Sequence, residues 1–306
     1  MISIACALYN GETFLLEQLT SLHAQTRPAD EVILYDDHSN DLTYAIAEQF
    51  IKEHNLSHWQ LYRQSTNKGY IQNFHDALQK CHGDIIFLCD QDDIWDLHKI
   101  EICTNYFHKH TTIECINTSY YIQNMDQIEI TLTTLPIKQH DLTFSSILYH
   151  NIAMGCTMAV KRSLINCYLE NTLCIAPHDW ELNALASDTS SLAYLDQPLI
   201  TYRIHQANTT GIDNVNGQKK LIENSRQKNA ATIYALAKGL RVYHLKTSKH
   251  TTFLQSYLAF AKLRYDLLHN KKISNWFRLM KYHKIYTSML SWKGILVDLL
   301  YAFTKQ

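Results

Sequence analysis

The sequence lacks the signals that mark several common kinds of protein. No two of its eight cysteines (Cys6, Cys81, Cys89, Cys103, Cys115, Cys156, Cys167 and Cys174) are separated by the two residues of a zinc knuckle or redox pair. Several sit in apolar runs, where a thiol serves as a small buried hydrophobe. No Gly-x-Gly-x-x-Gly follows the first apolar stretch, and no Gly-Lys-Ser/Thr occurs anywhere, so neither a dinucleotide fold nor a phosphate loop is indicated. The last apolar run, Ile295 to Phe303, is interrupted by Asp298 and is too short to span a bilayer. Met1 leads straight into Ile-Ser-Ile-Ala-Cys with no signal-peptide pattern, and the expectation is a chain kept in a reducing cytosol.

What is present is ordinary in amount and uneven in distribution. The 306 residues are 46% hydrophobic and 19% charged, as in a globular protein. The net charge of −1 conceals a division: residues 226–306 hold fifteen Lys/Arg against Asp266 and Asp298, a net of +13, which leaves −14 for residues 1–225. An acidic body that holds a cation and a basic tail that faces an anionic surface fit this division, and so does a solvated basic helical face.

Apolar runs at Ile2–Leu8, Glu31–Tyr35, Trp59–Arg63 and Ile85–Cys89 read as strands. Between them, helical spacing covers Phe14 to Ala24, the segment after Asp36-Asp37-His38-Ser39-Asn40-Asp41, and a helix bearing Ile71, Phe74 and Leu78. This alternation predicts an α/β fold with a mainly parallel sheet flanked by helices, and such sheets bind ligands beyond the carboxyl ends of their strands. The polar loops after Leu8, Tyr35 and Cys89 are therefore expected to converge.

The most informative stretch is Ile85-Ile86-Phe87-Leu88-Cys89-Asp90-Gln91-Asp92-Asp93-Ile94-Trp95. Five apolar residues in a row predict a strand buried on both faces. Three carboxylates at its end repel one another unless a positive group, usually a divalent cation, lies among them. If the chain stays extended, Asp90 and Asp92 share a face about 7 Å apart and Asp93 points the other way. The alternative is an acidic turn before a helix N-capped by Asp96, with Ile100, Cys103 and Phe107 on one side.

Further along, Cys115 to Tyr121 reads as a strand and the polar segment through Gln139, with Pro136, as a less regular excursion. Met154-Gly155-Cys156-Thr157-Met158-Ala159-Val160 is a small-residue turn entering a strand, and His178-Asp179-Trp180-Glu181 begins a helix after Pro177. Leu192 to Leu195 and an Asp196-Gln197-Pro198 turn precede Tyr202-Arg203-Ile204-His205. Beyond Gly217, residues 218–240, 249–270 and 274–304 can each carry helices. Phe253, Tyr257, Phe260, Leu263 and Leu267 recur at helical spacing beside Lys262 and Arg264.

Four ordered segments carry a resemblance. Ser3-Ile4-Ala5-Cys6-Ala7-Leu8-Tyr9-Asn10-Gly11, the Asp36 to Asp41 loop, Asn67-Lys68-Gly69 leading to Asn73-Phe74, and Asp90-Gln91-Asp92-Asp93-Ile94-Trp95 resemble the family 2 glycosyltransferases of GT-A fold. The closest likeness is to the bacterial rhamnosyltransferase-like branch. The resemblance covers roughly the first hundred residues. It implies a GT-A catalytic domain over residues 1–216 and a basic helical C-terminal region over 217–306.

The implied activity is inverting transfer of a sugar from a dTDP- or UDP-sugar to a saccharide or lipid-linked acceptor, in bacterial surface polysaccharide or lipopolysaccharide assembly. Tyr9, Asn10, Asp37, Asn73 and Asp90 would bind the nucleotide, and Asp92 with His205 would hold Mn²⁺ or Mg²⁺ against the donor diphosphate. Lys68, Gly155, Cys156, Trp180 and Arg203 would line the donor and acceptor pocket, with Arg203 meeting phosphate. Asp179 would be the base, although Asp also favours the N-cap such a position offers. The usual family pattern has Glu-Asp where this chain has His178-Asp179, and Glu181 supplies a second carboxylate nearby.

Nucleotidylyl transfer would need a Gly-rich loop with a basic residue after the first strand, which Tyr9-Asn10-Gly11 does not provide. A non-catalytic sugar-binding or scaffolding subunit is the competing reading, against which the acidic cluster and Asp179 count. The C-terminal helices are expected to lie on an anionic membrane face as a peripheral appendage, or else to cap the catalytic domain or form an oligomer interface. No nucleic-acid partner is expected.

Overall fold

The computed structural model describes residues 1–125, 130–131, 142–151, 154–205, 219–290 and 292–304. Most of the excursion around Pro136, the segment after His205 and the 216/217 boundary lie outside the described residues. The first half alternates β1 (Ile2–Leu8), α1 (Leu15–His23), β2 (Glu31–Asp36), α2 (Thr43–Glu53), β3 (Trp59–Arg63), α3 (Tyr70–Lys80), β4 (Ile85–Asp90), β5 (Ile94–Trp95) and α4 (Lys99–Lys109). There follow β6 (Cys115–Asn124), β7 (Ile130–Thr131), α5 (Phe144–Tyr149), β8 (Met158–Lys161), α6 (Arg162–Asn171), α7 (His178–Asp188) and β9 (Leu192–Ile204). The C-terminal region is α8 (Lys219–Leu240), α9 (Ser248–His269), α10 (Ser274–Leu279), α11 (His283–Met289) and α12 (Trp292–Thr304).

The sheet runs β3-β2-β1-β4-β8-β6-β9-β5, with β7 on β6. The first four strands are parallel; the apolar runs of β1, β2 and β4 suit strands covered on both faces, and β3 is the edge. The sheet then becomes mixed: β8 is antiparallel to β4 and β6, β9 is parallel to β6, and β5 is antiparallel to β9. Only Gln91 to Asp93 separate β4 from β5, yet β5 closes the far end of that path, so the sheet must curl back on itself.

Side chains alternate cleanly between two cores. Ile4, Cys6, Leu8, Phe87 and Cys89 meet Leu15 and Leu19 of α1, Phe50 of α2 and Ile100 and Cys103 of α4. Ala5, Ile86 and Leu88 face the opposite side, against Phe74 and Leu78 of α3 and Ile165 of α6. Period-two alternation on a sheet covered on both sides produces this split.

Three local expectations change. The Asp196-Gln197-Pro198 turn is a bulge inside continuous β9, where the register against β6 slips around Ser119; a bulge tolerates proline because no ladder N–H is required there. His98, not Asp96, occupies the position before α4, and the Asp96 carboxylate accepts the His98 N–H at 2.9 Å. The expected long terminal helix is broken, by a tight turn over Met280–Tyr282 and by an extended Leu290 (φ −135°, ψ 140°).

The breaks let the C-terminal helices fold over one another. Asp298 of α12, fully buried, accepts hydrogen bonds from Arg226, Arg264 (2.8 Å) and the Tyr286 hydroxyl (2.9 Å). The Phe253–Leu267 face of α9 is not open to a membrane. Tyr257, Phe260 and Leu267 are buried in the same core as Leu182 and Leu185 of α7, and the Tyr257 hydroxyl donates to the Leu148 carbonyl. This face caps α7 and the sheet behind it.

Candidate active site

The polar loops after β1, β2 and β4 converge, joined by main-chain and amide hydrogen bonds. Gln91 accepts the Tyr9 N–H at 2.8 Å and donates to the Tyr9 carbonyl at 2.7 Å. Asn10 bonds the next loop in both directions, its N–H to Ser39 Oγ and its Oδ1 from the Asn40 N–H, each at 2.9 Å. Gly11 sits so close to Gln91 that a Cβ would lie 2.3 Å from its amide, so a side chain there would displace the amide from its bonds to Tyr9. Tyr9 is 42% exposed at the rim.

Asp37 and Asn73 organise this end from beneath. The Asp37 carboxylate, almost wholly buried, accepts the Lys68 and Gly69 N–H groups at 2.8 Å each, tying the loop after β2 to the start of α3. Asn73 is buried too and donates to the Tyr35 carbonyl at 2.8 Å, pinning the end of β2. Lys68 stays partly exposed, 3.1 Å from Asp76, beside a cavity of about 670 Å³ lined also by Gly69, Tyr70, Gln72 and Cys174.

The acidic loop is not extended. After Asp90 the chain turns, so the alternation that would pair Asp90 with Asp92 fails. Asp93 instead swings back, and a carboxylate oxygen of Asp90, one of Asp93 and the Cys156 thiol lie within 4.8 Å of one another. Burial, the Asp92 charge and the Asp179 charge push the Asp90 carboxyl up to about 7. Fully buried Asp93 is pushed well above the carboxylate range, again by burial first. Among the described residues, the donor that its oxygens meet is the Cys156 thiol.

Asp92 goes outward to His205. Its Oδ2 lies 3.0 Å from His205 Nε2, both side chains are partly exposed, and the imidazole stacks on Phe14 with centroids 4.1 Å apart. The pairing of Ile94 with Thr201 and Trp95 with Ile200 sets this meeting, because continuing that antiparallel register carries Asp92 to the end of β9. Arg203 acts as the clamp. Fully buried, its guanidinium donates to the carbonyls of Asp92, Phe14 (2.9 Å) and Asp93 (3.3 Å) and to Glu17. Those donors brace the loop rather than face the pocket, a correction to the phosphate contact expected of Arg203.

A cation that the sequence reading did not single out lies below. Lys99, fully buried, donates from Nζ to the Cys156 carbonyl at 2.6 Å and sits 3.9 Å from the Trp95 ring centroid. Burial lowers its pKa, while neighbouring thiols and Asp93 oppose that shift. The available signal was its place on the apolar face of α4, four residues before Cys103 and eight before Phe107.

Asp179 acts by its charge on the acidic loop at Asp90. It lies in the first turn of α7, whose cap position is Pro177, so it is not the N-cap. Asn151 Nδ2 and the Trp180 N–H, both at 2.8 Å, hold its two oxygens, and its charge reaches both Asp90 and Tyr70. Gly155 brings the Cys156 turn against this helix, since a Cβ there would sit 3.1 Å from His178 Nε2. His178 is buried against Phe74, with ring centroids 4.1 Å apart, and burial lowers its pKa.

Two other expected site residues, Trp180 and Cys156, are interior, and so is the second carboxylate of α7, Glu181. Trp180 is buried and donates from Nε1 to the Ile147 carbonyl at 2.6 Å, so it is core rather than pocket wall. Cys156 is buried beneath the carboxylates. Glu181, two residues from Asp179, is fully buried and accepts from the Tyr243 hydroxyl at 2.7 Å and Thr172 at 3.0 Å, binding α7 to the C-terminal region.

Whether the site suits a divalent cation turns on these charges. The Asp90–Asp93–Cys156 group is deep and already faces the buried Lys99, whereas Asp92 and His205 offer an oxygen and a nitrogen at the mouth, in a loop whose carboxylates repel one another. The outer pair fits a hard or borderline divalent ion.

Comparison with known proteins yields consistent findings. The profile of glycosyl transferase family 2 matches residues 3–169. An uncharacterized protein of Mycobacterium tuberculosis is 29% identical over 210 residues, 67% of this chain but only 59% of that relative. The dTDP-rhamnosyl transferase RfbG of Shigella flexneri is 28% identical over 226 residues, 67% of this chain and 73% of RfbG. In fold, the chain is similar to TarS 1-349 of S. aureus, solved with UDP, with a TM-score of 0.59 and 16% identity over 99% of this chain and 81% of TarS 1-349. It is also similar to the mannosyltransferase PcManGT of Pyrobaculum calidifontis, solved with GDP-Man and Mn²⁺, with a TM-score of 0.56 and 15% identity over 100% of this chain and 88% of that one.

Proposed function

We propose that this chain, which belongs to glycosyl transferase family 2, transfers a sugar from a nucleoside diphosphate to an acceptor hydroxyl with inversion. The observation that supports the reading is that the charges of two unlike groups act on Asp90: Asp92, which meets His205 at 3.0 Å, and Asp179. Tyr9, Asn10 and the loop held by Asp37 take the base and ribose end of the donor. A dTDP- or UDP-sugar is the favoured donor, because RfbG is named a dTDP-rhamnosyl transferase and TarS binds UDP.

In the transfer step, Asp179 accepts the proton of the acceptor hydroxyl while that oxygen bonds the anomeric carbon, and the bond from that carbon to the diphosphate oxygen breaks. Asn151 and the Trp180 N–H orient the carboxylate for this task. Asp92 and His205 would hold Mn²⁺ or Mg²⁺, whose charge offsets that gathering on the diphosphate. The acceptor is a saccharide or a lipid-linked saccharide of bacterial surface polysaccharide or lipopolysaccharide assembly.

A panel of dTDP-, UDP- and GDP-sugars with Mn²⁺, read by thermal shift and by nucleotide release, tests this. One donor should raise Tm and be turned over, and both effects should vanish with EDTA and in Asp92→Ala. Folded protein that neither binds nor turns over any donor overturns the reading.

A further inference from the structure

The described residues include sixteen exposed large apolar side chains, and five of them fall on one helix of thirteen residues. On α12, Trp292 is 61% exposed, Leu296 54%, Val297 40%, Leu300 59% and Phe303 55%. At 3.6 residues per turn these positions fill one arc of about 140°. Ile295, Asp298, Tyr301 and Ala302 fill the opposite arc and are buried on the other C-terminal helices. A helix that packs one face on its own protein normally turns charge outward. Here the outward face is apolar, and Lys293 lies within it.

The exposed charge in this last stretch of the chain is of one sign, although Lys272 lies 4.0 Å from Asp266 just before it. From Lys271 to Thr304 the chain holds six Lys/Arg and a single acid, Asp298, which is buried against Arg226 and Arg264. Lys272, Arg278, Lys281, Lys284 and Lys293 are exposed. No helix of the described residues is long and apolar enough to cross a membrane. The thirteen residues of α12 reach only about 20 Å, short of a bilayer core of about 30 Å.

We infer that the outer face of α12 docks on an anionic phospholipid surface, lying in the headgroup boundary with Trp292, Leu296 and Phe303 inserted and the surrounding lysines and arginines against lipid phosphates. A tryptophan at one end of an apolar stripe, bases beside it and no exposed acid are what an interfacial helix requires. A water-exposed cap requires none of these. The inference concerns a different element from the α9 face favoured by sequence periodicity, and it stands apart from the chemistry because lipid binding is measured without any sugar donor.

The test is sedimentation of the full chain with phosphatidylcholine vesicles, with and without phosphatidylglycerol, alongside light scattering of the protein alone. The chain should sediment with the anionic vesicles, lose binding as salt rises, and shift its tryptophan emission to the blue. Leu296→Ser combined with Phe303→Ser should weaken vesicle binding on the order of tenfold; both side chains are exposed, so the fold, checked by circular dichroism, is retained. Lys293→Glu should weaken binding to anionic vesicles alone. Absence of vesicle binding, binding that the double variant leaves unchanged, or a dimer in solution that the double variant converts to monomer would each overturn the inference.

Discussion

Acid in the C-terminal helices and acid at the end of β4 differ in how the surrounding chain compensates it. Asp298 is fully buried, and its oxygens are met by Arg226, Arg264 and Tyr286. Among the described residues, Asp90 and Asp93 meet the Lys99 cation and the Cys156 thiol, with Asp92 and Asp179 adding negative charge, and burial raises both of their pKa values. Removing a carboxylate from water is costly unless cations and donors replace the water. Around Asp298 the chain supplies them. At the β4 end it leaves an excess of negative charge, which a bound divalent cation would satisfy.

The helix α7 carries a like contrast within two residues, because Asp179 meets exposed Asn151 and Glu181 meets Tyr243 of the C-terminal region. The largest expected effect is therefore Asp179→Asn: transfer falls by about 10²–10⁴-fold, while donor binding and Tm stay near their starting values. Single-turnover kinetics beside a thermal scan measures this, and a normal transfer rate would move the base elsewhere. Asp298→Ala should do the reverse. It leaves Arg226 and Arg264 uncompensated and should cost about 3–5 kcal/mol in urea unfolding, with the remaining folded protein binding donor normally.

The smallest effect is expected at Glu181. Its pKa is raised from 4.5 by burial, partly opposed by Tyr243 and Thr172. The folded state therefore holds this proton more tightly than the unfolded chain. The contribution to stability is complete at pH below 4.5 and is lost as pH rises through the higher folded value. Glu181→Gln should flatten that part of the Tm-against-pH curve and leave transfer intact. A loss of transfer as large as that of Asp179→Asn would erase the division between the two carboxylates.

Much of the fold could be read in advance because its signals are local. The apolar runs of β1, β2 and β4 mark strands covered on both faces whatever their neighbours are, and the loops that follow them do converge, through Gln91, Asn10 and Ser39. The start of α7 after Pro177 was legible for the same reason. Within the site, the meeting of Asp92 with His205 across more than a hundred residues came from matching segments to a family. Periodicity contains no information about that distance.

The remaining details depended on groups far apart in sequence. Local spacing assigned Asp93 away from Asp90 because it assumed an extended chain, whereas the curl that joins β5 to β9 turns Asp93 inward and Asp92 outward. Arg203 has the composition of a phosphate binder and becomes a clamp because carbonyls of Asp92, Asp93 and Phe14 surround it. The C-terminal helices were expected to share one role, whereas the α9 stripe is core and α12 presents an apolar surface.

By itself the sequence determined where strands and helices form, that carboxylates gather at the end of β4, and that acidic and basic residues divide between the two parts of the chain. Hydrophobic periodicity and charge content are properties of neighbouring residues, so they survive without a fold. Only the tertiary structure decided which carboxylates are compensated and which are not. Compensation requires a specific cation or donor within a few ångströms in a water-poor interior, and the chain positions of Lys99, Arg226 and Arg264 are unrelated to the fields they neutralise until packing places them there.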